Sequence, residues 1–325
     1  MPSTADSTAA VSLASLRAAA GRLKGVALRT PMLELPALSA RLGVPVALKC
    51  EQLQPIGAFK IRGAYNAIAR VAAEGGAKGV ITQSSGNHGQ AVAYAAQTFG
   101  LRAVVVMPAS TPQVKLDGVR KYGGEVVLAG AVRSAEQRIH AEAMAREEGL
   151  VMVPPYDHPD VVAGQGTTGL EILEQRPEVD TIVVPVSGGG LLAGISVAVA
   201  ALKPSVRLLG AEPVGAAKLT AALAAGAPVA LDHTESIADG LLARAIGDFT
   251  FAILHRVVRE AVRVSEEEIA EAVRFLHHEA GLRPEPSGAV AVAALLAGHV
   301  RPAGPTVAVV SGGNVDPDLY QRLVR

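Results

Sequence analysis

Short runs of β-branched apolar residues alternate along the chain with Ala-rich stretches whose apolar positions recur at three- and four-residue spacing. The apolar runs at 79–82, 103–107, 125–128, 181–186, 206–210 and 306–310 predict strands. Strands separated by helical patterns imply parallel sheets covered by helices, so the fold class is α/β. Residues 77–154 carry three of these strands and predict a small lobe. Residues 1–76 and 155–325 then form a large one, with hinges at Gly75-Gly76 and Pro154-Pro155. Neither a fixed-period repeat nor a low-complexity tract interrupts the pattern.

The segment from Gly57 to Glu74 reads as a helix in which Arg62, Asn66, Arg70 and Glu74 recur every four residues as one solvated strip. Lys60 lies off that strip. At about 100° per residue it lines up with Ala64, Ala67 and Val71, a column suited to packing against another element. An ammonium in that position loses hydration, and a desolvated lysine with no carboxylate beside it becomes a neutral amine that can form an imine or take a proton. The alternative is a lysine near a helix N-terminus that snorkels past its neighbours.

Composition narrows the partner. The 325 residues are half hydrophobic and carry 30 basic against 30 acidic side chains, ample for a two-lobed core but without the basic block that phosphate backbones require. Aromatic residues are few and tryptophan is absent, which disfavours stacking on bases or sugars. A small molecule is the expected partner. Cys50 is the single cysteine, so no disulfide framework is expected, in keeping with a reducing, cytoplasmic setting. Residues 1–20 lack the basic and apolar regions of a signal peptide. Residues 181–202 are uncharged and long enough for a membrane span, but Pro185 and Gly188-Gly189-Gly190 divide them into strand, loop and helix.

Three loops follow predicted strands, where open α/β sheets collect ligands. Ser84-Ser85-Gly86-Asn87-His88-Gly89 opens a helix, and its free N–H groups and polar side chains suit a carboxylate, beyond what ordinary capping needs. Ser187-Gly188-Gly189-Gly190-Leu191 is a phosphate cradle by the same physics, although a tight strand-to-helix turn would use the same glycines. Its spacing is neither that of a P-loop nor of a dinucleotide fingerprint. Ser311-Gly312-Gly313-Asn314 places a hydroxyl at the end of a buried strand. A desolvated lysine, an anion cradle and a carboxylate loop together fit pyridoxal 5'-phosphate acting on an amino acid.

The chain resembles the fold type II pyridoxal phosphate enzymes of the threonine dehydratase and serine racemase family. The resemblance rests on Lys49-Cys-Glu-Gln-Leu-Gln-Pro-Ile-Gly-Ala-Phe-Lys-Ile-Arg-Gly63, Gln83-Ser-Ser-Gly-Asn-His-Gly-Gln90, Pro185-Val-Ser-Gly-Gly-Gly-Leu-Leu-Ala-Gly194 and Ser311-Gly-Gly-Asn-Val-Asp316, in the family's order. It implies two open, twisted, mostly parallel sheets flanked by helices, with the cofactor in the cleft between the lobes. It further implies that Lys60 forms the Schiff base with the cofactor and that Phe59, Asn87, Ser187, Gly188, Gly189, Gly190, Leu191, Glu285, Ser311 and Gly312 line it. Asn87 would meet its 3-hydroxyl group and Ser311 its pyridine nitrogen. Ser84, Ser85, Gly86, Asn87 and His88 would hold the substrate carboxylate, with Asp239 and Gly240 nearby.

By the same resemblance, water is eliminated from L-threonine or L-serine to give a 2-oxo acid and ammonia. Serine racemisation and 3-hydroxyaspartate dehydration are the neighbouring readings, and a non-catalytic amino-acid-binding protein is the rival of another class. A serine in place of an aspartate at the ring nitrogen weakens the electron sink and favours elimination. Racemisation needs a donor on the opposite face, and the resemblance assigns Ser85. Cysteine synthases carry Thr-Ser-Gly-Asn-Thr-Gly where this chain has Ser-Ser-Gly-Asn-His-Gly, and only nine residues follow Asp316, which leaves no appended regulatory domain in this chain. A homodimer is implied.

One departure concerns metal. Racemase-like relatives bind a divalent cation through a glutamate, a carbonyl four residues on and an acidic residue two further, which align here with Glu212, Ala216 and Lys218. A lysine cannot complete that ligand set, so the expectation is no metal, with Lys218 paired to Glu212 in its place. The adjacent His277 and His278 are expected at the surface, and Arg133 is a possible partner for a second substrate carboxylate.

Overall fold

A computed structural model describes residues 11–84, 86–111, 113–132 and 136–325. Its strands form two sheets. The larger has the order β1 (Met32–Glu34), β2 (Val46–Cys50), β10 (Thr306–Val310), β7 (Thr181–Pro185), β8 (Arg207–Pro213) and β9 (Glu260–Val264), all parallel except the edge strand β1. The smaller is fully parallel, in the order β5 (Glu125–Leu128), β4 (Ala103–Met107), β3 (Val80–Gln83) and β6 (Val151–Met152). The second sheet lies within the residues expected to form the small lobe.

Predicted strands at 103–107, 125–128 and 306–310 match to the residue. The pattern missed β1, β2, β6 and β9. β6 is two residues long, β1 is three, and β2 carries Lys49 in a fully buried run. Alternation assigns the large sheet's side chains to two layers. Ile182, Val184, Leu208, Val307 and Val309 face a core that includes the helices Pro159–Gln175 and Gly190–Leu202. Val183, Leu209, Ala308 and Val310 face Glu266–Ala280 and Pro286–Leu296. None of the described helices is long and apolar enough to cross a membrane.

The helix Lys60–Glu74 begins at Lys60 and touches both parts of the molecule. Ile61, Ala64, Tyr65 and Ile68 pack with Ala91, Val92 and Ala95 of the helix Asn87–Thr98. On another face, glycines let the backbone of Pro159–Gln175 come close, since a Cβ at Gly164 would lie 2.3 Å from the Arg62 carbonyl oxygen.

The expectation of a solvated strip fails for its first half. Arg62 is 1% exposed and Asn66 fully buried, whereas Arg70 is half-exposed and Glu74 is exposed. The reason is a set of buried partners invisible to helical periodicity. The Arg62 guanidinium donates to both oxygens of Glu51 at 2.8 Å and to Glu171 at 2.6 and 2.9 Å. Lys49 Nζ joins the network through Glu171 (2.6 Å), Gln175 (2.8 Å) and the Thr30 carbonyl (2.9 Å). Asn66 donates to the Asp160 carbonyl at 2.7 Å and accepts from Arg22 at 2.7 Å.

Candidate active site

The end of β10 and the segment leading into Lys60 are stitched together by backbone. Phe59 N–H donates to Ser311 O at 3.1 Å, Gly313 N–H donates to Gly57 O at 2.9 Å, and Ala58 bridges Gly312. Gly57 has φ +73°, and a Cβ there would lie 2.4 Å from Asn314 Oδ1, so only glycine serves both the turn and the contact. Ser311 is 5% exposed at this junction, as the sequence placed it.

Lys60 is partly buried beside the same junction. Its Nζ donates to Pro155 O at 2.7 Å and lies 5.1 Å from the centre of the Phe59 ring. Burial, with no carboxylate acting against it, pushes its pKa down to about 8. The amine is therefore a competent base only a little above neutrality.

The glycine loop runs from β7 into the helix Gly190–Leu202, with Gly189 at φ +97° as its N-cap. Thr250 Oγ1 and Gly247 N–H both donate to Gly188 O, at 2.8 and 3.2 Å, which holds the loop from behind. A Cβ at Gly188 would lie 2.4 Å from the ring of Tyr156, and one at Gly190 would press on the same residue at 3.0 Å. The first helical turn leaves its N–H groups without intrahelical acceptors, so Ser187 to Leu191 offer backbone donors and the dipole's positive end to an anion.

A second helix N-terminus faces the same region. Ser84 N–H donates to Val106 O at 3.1 Å, Ser84 Oγ accepts from Gly86 N–H at 3.2 Å, and Asn87 begins the helix Asn87–Thr98. Gly86, its N-cap, borders open space. Asn87 ties three loops together: Nδ2 donates to Glu285 Oε1 at 2.6 Å, and Oδ1 accepts from Asn314 Nδ2 at 2.8 Å. Glu285 also anchors its backbone on Gly312 O at 3.0 Å, and its carboxyl would collide with any side chain at Gly312. Burial, reinforced by Asp239, pushes its pKa up to about 8.

Three expectations need correction or relocation. The His88 side chain is buried, and its Nε2 lies 3.0 Å from Val153 O, an acceptor only, so that nitrogen carries the proton. Burial pushes its pKa down to about 3, and the neutral ring has no second proton to give a carboxylate. Only the His88 backbone N–H can serve as such a donor. Asp239, expected near the substrate carboxylate, keeps a half-exposed side chain. It forms an ion pair with Lys115 of the helix Gln113–Arg120, and Gly240 beside it donates to Ser287 Oγ at 2.9 Å. His277 is half-buried with Nδ1 3.0 Å from the Tyr320 hydroxyl, and only His278 is exposed. Ser85 and Arg133 lie outside the described residues.

Glu212, Ala216 and Lys218 do come together. Lys218 Nζ lies 2.8 Å from Ala216 O and 3.8 Å from Glu212 Oε2, and no cluster of His, Cys, Asp or Glu that could hold a metal occurs among the described residues. Sequence reasoning missed Tyr156, Thr250 and Lys115. The dipeptide Pro154-Pro155 drew attention only as a break, and nothing in the spacing pointed from it to Gly188.

Glycines packed so closely on Tyr156 that no side chain fits, with the free N–H groups of a helix start and an amine kept from permanent charge, fit a phosphorylated carbonyl cofactor. The fold and site thus define an α/β enzyme that works through such a group. The sequence profile of the family described as pyridoxal-phosphate dependent enzyme matches residues 7–312. A biosynthetic L-threonine dehydratase of Pasteurella multocida is 42% identical over 90% of this chain, and the chain spans 57% of that relative's length. An L-threonine ammonia-lyase of Geobacter sulfurreducens is 45% identical over 91% of this chain and 73% of its own. The solved structure of maize serine racemase superposes with a TM-score of 0.92 at 38% identity, covering 97% of both chains. The chain belongs to the pyridoxal-phosphate-dependent enzyme family.

Proposed function

We propose that the protein eliminates water from a 3-hydroxy amino acid, L-threonine first and L-serine second, giving a 2-oxo acid and ammonia. The observation that carries the reading is the Lys60 amine, desolvated, without a carboxylate partner, and set between the glycine cradle and the helix N-terminus at Asn87. A non-catalytic amino-acid-binding protein would have no use for such an amine. Two relatives of at least 42% identity are named for threonine dehydration.

Bound pyridoxal phosphate supplies an electron sink that acidifies the substrate's Cα–H bond. Ser187 to Leu191 would hold its phosphate, Asn87 its 3-hydroxyl group, Ser311 its pyridine nitrogen, and Phe59, Glu285 and Gly312 its edges. Lys60 Nζ then takes the α-proton, as a pKa of about 8 allows near neutrality. The substrate carboxylate lies on the backbone N–H groups of the Ser84 to His88 loop, where a helix dipole stabilises it. Asp239 and Gly240 border the same mouth, and the ion pair to Lys115 draws the small lobe over it. Residues 77–154 move as the mobile lobe. A homodimer in the cytoplasm completes the reading, supported by the single reduced cysteine and the family resemblance.

Serine racemisation is the second reading, favoured by the full-length match to maize serine racemase. It requires a proton donor opposite Lys60, the role proposed for Ser85. One experiment separates the two. The purified protein, saturated with cofactor, is given L-threonine, L-serine, D-serine and 3-hydroxyaspartate, while 2-oxo acid release and product chirality are followed. Fast 2-oxo acid release from L-threonine is expected; racemisation of serine outrunning its deamination would favour the second reading, and a protein that takes up no cofactor would sink both.

A further inference from the structure

The least expected group in the fold is Lys218, the first residue of the Ala-rich helix Lys218–Ala225. Its side chain is fully buried. Nζ donates to two backbone carbonyls, Ala216 O at 2.8 Å and Leu241 O at 2.8 Å, and faces Glu212 Oε2 at 3.8 Å. Glu212 is itself fully buried, and its carboxylate caps the same helix, accepting from Leu219 N–H (2.9 Å), Thr220 N–H (2.8 Å) and Thr220 Oγ1 (2.7 Å). The ammonium therefore sits in a sealed pocket of oxygens contributed by the 212–216 segment and the separate turn ending at Leu241. Two carbonyls and one carboxylate form the ligand chemistry of a hard cation, here answered by a covalently attached one.

What the ammonium connects is informative. Leu241 ends the turn Asp239–Leu241, in which Gly240 is held by Ser287 and Asp239 reaches Lys115 of the small lobe. No other side chain hydrogen-bonds the Leu241 carbonyl within the described residues. Fixing that oxygen fixes the turn at the mouth of the site.

We propose that Lys218 is a tethered cation that positions the Asp239–Leu241 turn, making the protein independent of free metal ions, and that removing its amine opens a site for a small inorganic cation. Lys218 is thus a positioning residue, acting through the turn. Its link to turnover rests on the proposed dehydratase activity; its link to stability does not.

The test compares wild type, Lys218→Ala and Lys218→Met after chelator treatment, in potassium, ammonium, magnesium and calcium chlorides, against tetramethylammonium chloride at equal ionic strength. Wild type should keep its melting temperature and its kcat/KM within twofold in every salt. Lys218→Ala should melt lower in tetramethylammonium and recover at least half the loss with one of the small cations, and kcat/KM should fall at least tenfold and recover several-fold with the same ion. Lys218→Met, which fills the pocket without charge, should recover with none.

Activation of wild type several-fold by magnesium or calcium overturns the proposal, as does a Lys218→Ala protein indifferent to all four cations. If Lys218→Ala is insoluble, refolding in each salt decides: recovery only with a small cation supports the tether, and recovery in none overturns it. Cation-rescued melting with no turnover of any hydroxy amino acid by wild type would count against the dehydratase activity and leave the tether standing.

Discussion

Lys60 and Arg62 lie two residues apart on one helix, both withdrawn from water, and have opposite fates. Arg62 faces Glu51 and Glu171, which more than offset its desolvation and hold it charged, its pKa above the ordinary range. Lys60 faces a carbonyl oxygen and an aromatic ring, and nothing offsets its desolvation. The same burial therefore produces a structural cation on one face and a reactive amine on the other. On this helix the carboxylates beside Arg62, absent beside Lys60, separate the two.

The comparison breaks first at Lys60. Lys60→Ala should lower turnover of L-threonine by roughly 10⁴-fold or more, about 5 kcal/mol of barrier, because its amine is the base proposed for Cα–H. Its melting temperature should stay near wild type, since the lost group makes one hydrogen bond and carries a desolvation penalty. Retained 2-oxo acid release would remove Lys60 from the mechanism. Arg62→Met should do the reverse. Leaving Glu51 buried without its cation, while Glu171 keeps only Lys49, costs about 3–5 kcal/mol, read as a lower denaturation midpoint, while the folded fraction keeps its kcat. A stable Arg62→Met protein with lost activity would mean that Arg62 belongs to the site.

The difference also has a pH signature. In the cofactor-free protein Lys60 should acylate with a midpoint near its pKa of about 8, whereas exposed lysines titrate near about 10.4. A lowered pKa means the reactive neutral form gains as pH rises through 8, so at pH 8 about half of Lys60 is free base against under about 1% of a surface lysine. Competitive labelling read by mass spectrometry measures this. A Lys60 midpoint above 10 would mean that its amine is hydrated.

Much of this was legible from the residues. Three strands were read to the residue, and the loops at Ser84 and Ser311 meet through Asn87 and Asn314, because apolar runs ending in glycine and serine mark strand ends whatever their neighbours are. Lys60 stood out because its helical column, Ala64, Ala67 and Val71, is apolar. Arg62 was misread for the same reason in reverse. Its column looked polar, hence solvated, and the carboxylates that bury it sit 11 and 109 positions away. The sealing of the His88 ring was not legible, because a helix N-terminus suggests open donors, whereas Val153, 65 positions on, claims it. Long-range partners carry no local periodicity.

The finest test of the comparison moves from sealed to open ion pairs. Lys115 and Asp239 pair across the cleft as Arg62 and Glu51 pair beneath it, yet the Asp239 side chain is 47% exposed while Glu51 is fully buried. Water and salt screen the open pair, so it should be worth only about 0–1 kcal/mol. Lys115→Ala should leave the melting temperature nearly unchanged. Its expected effect is on closure: KM for L-threonine rises a few-fold, kcat stays within twofold, and the wild-type KM drifts toward the variant's as salt is raised. Asp239→Asn should reproduce the shift, and the double variant should add little to either single one, because both remove the same contact. Additive losses, or a kcat reduced more than tenfold in Lys115→Ala, would place Lys115 in contact with the substrate and end its role as a latch.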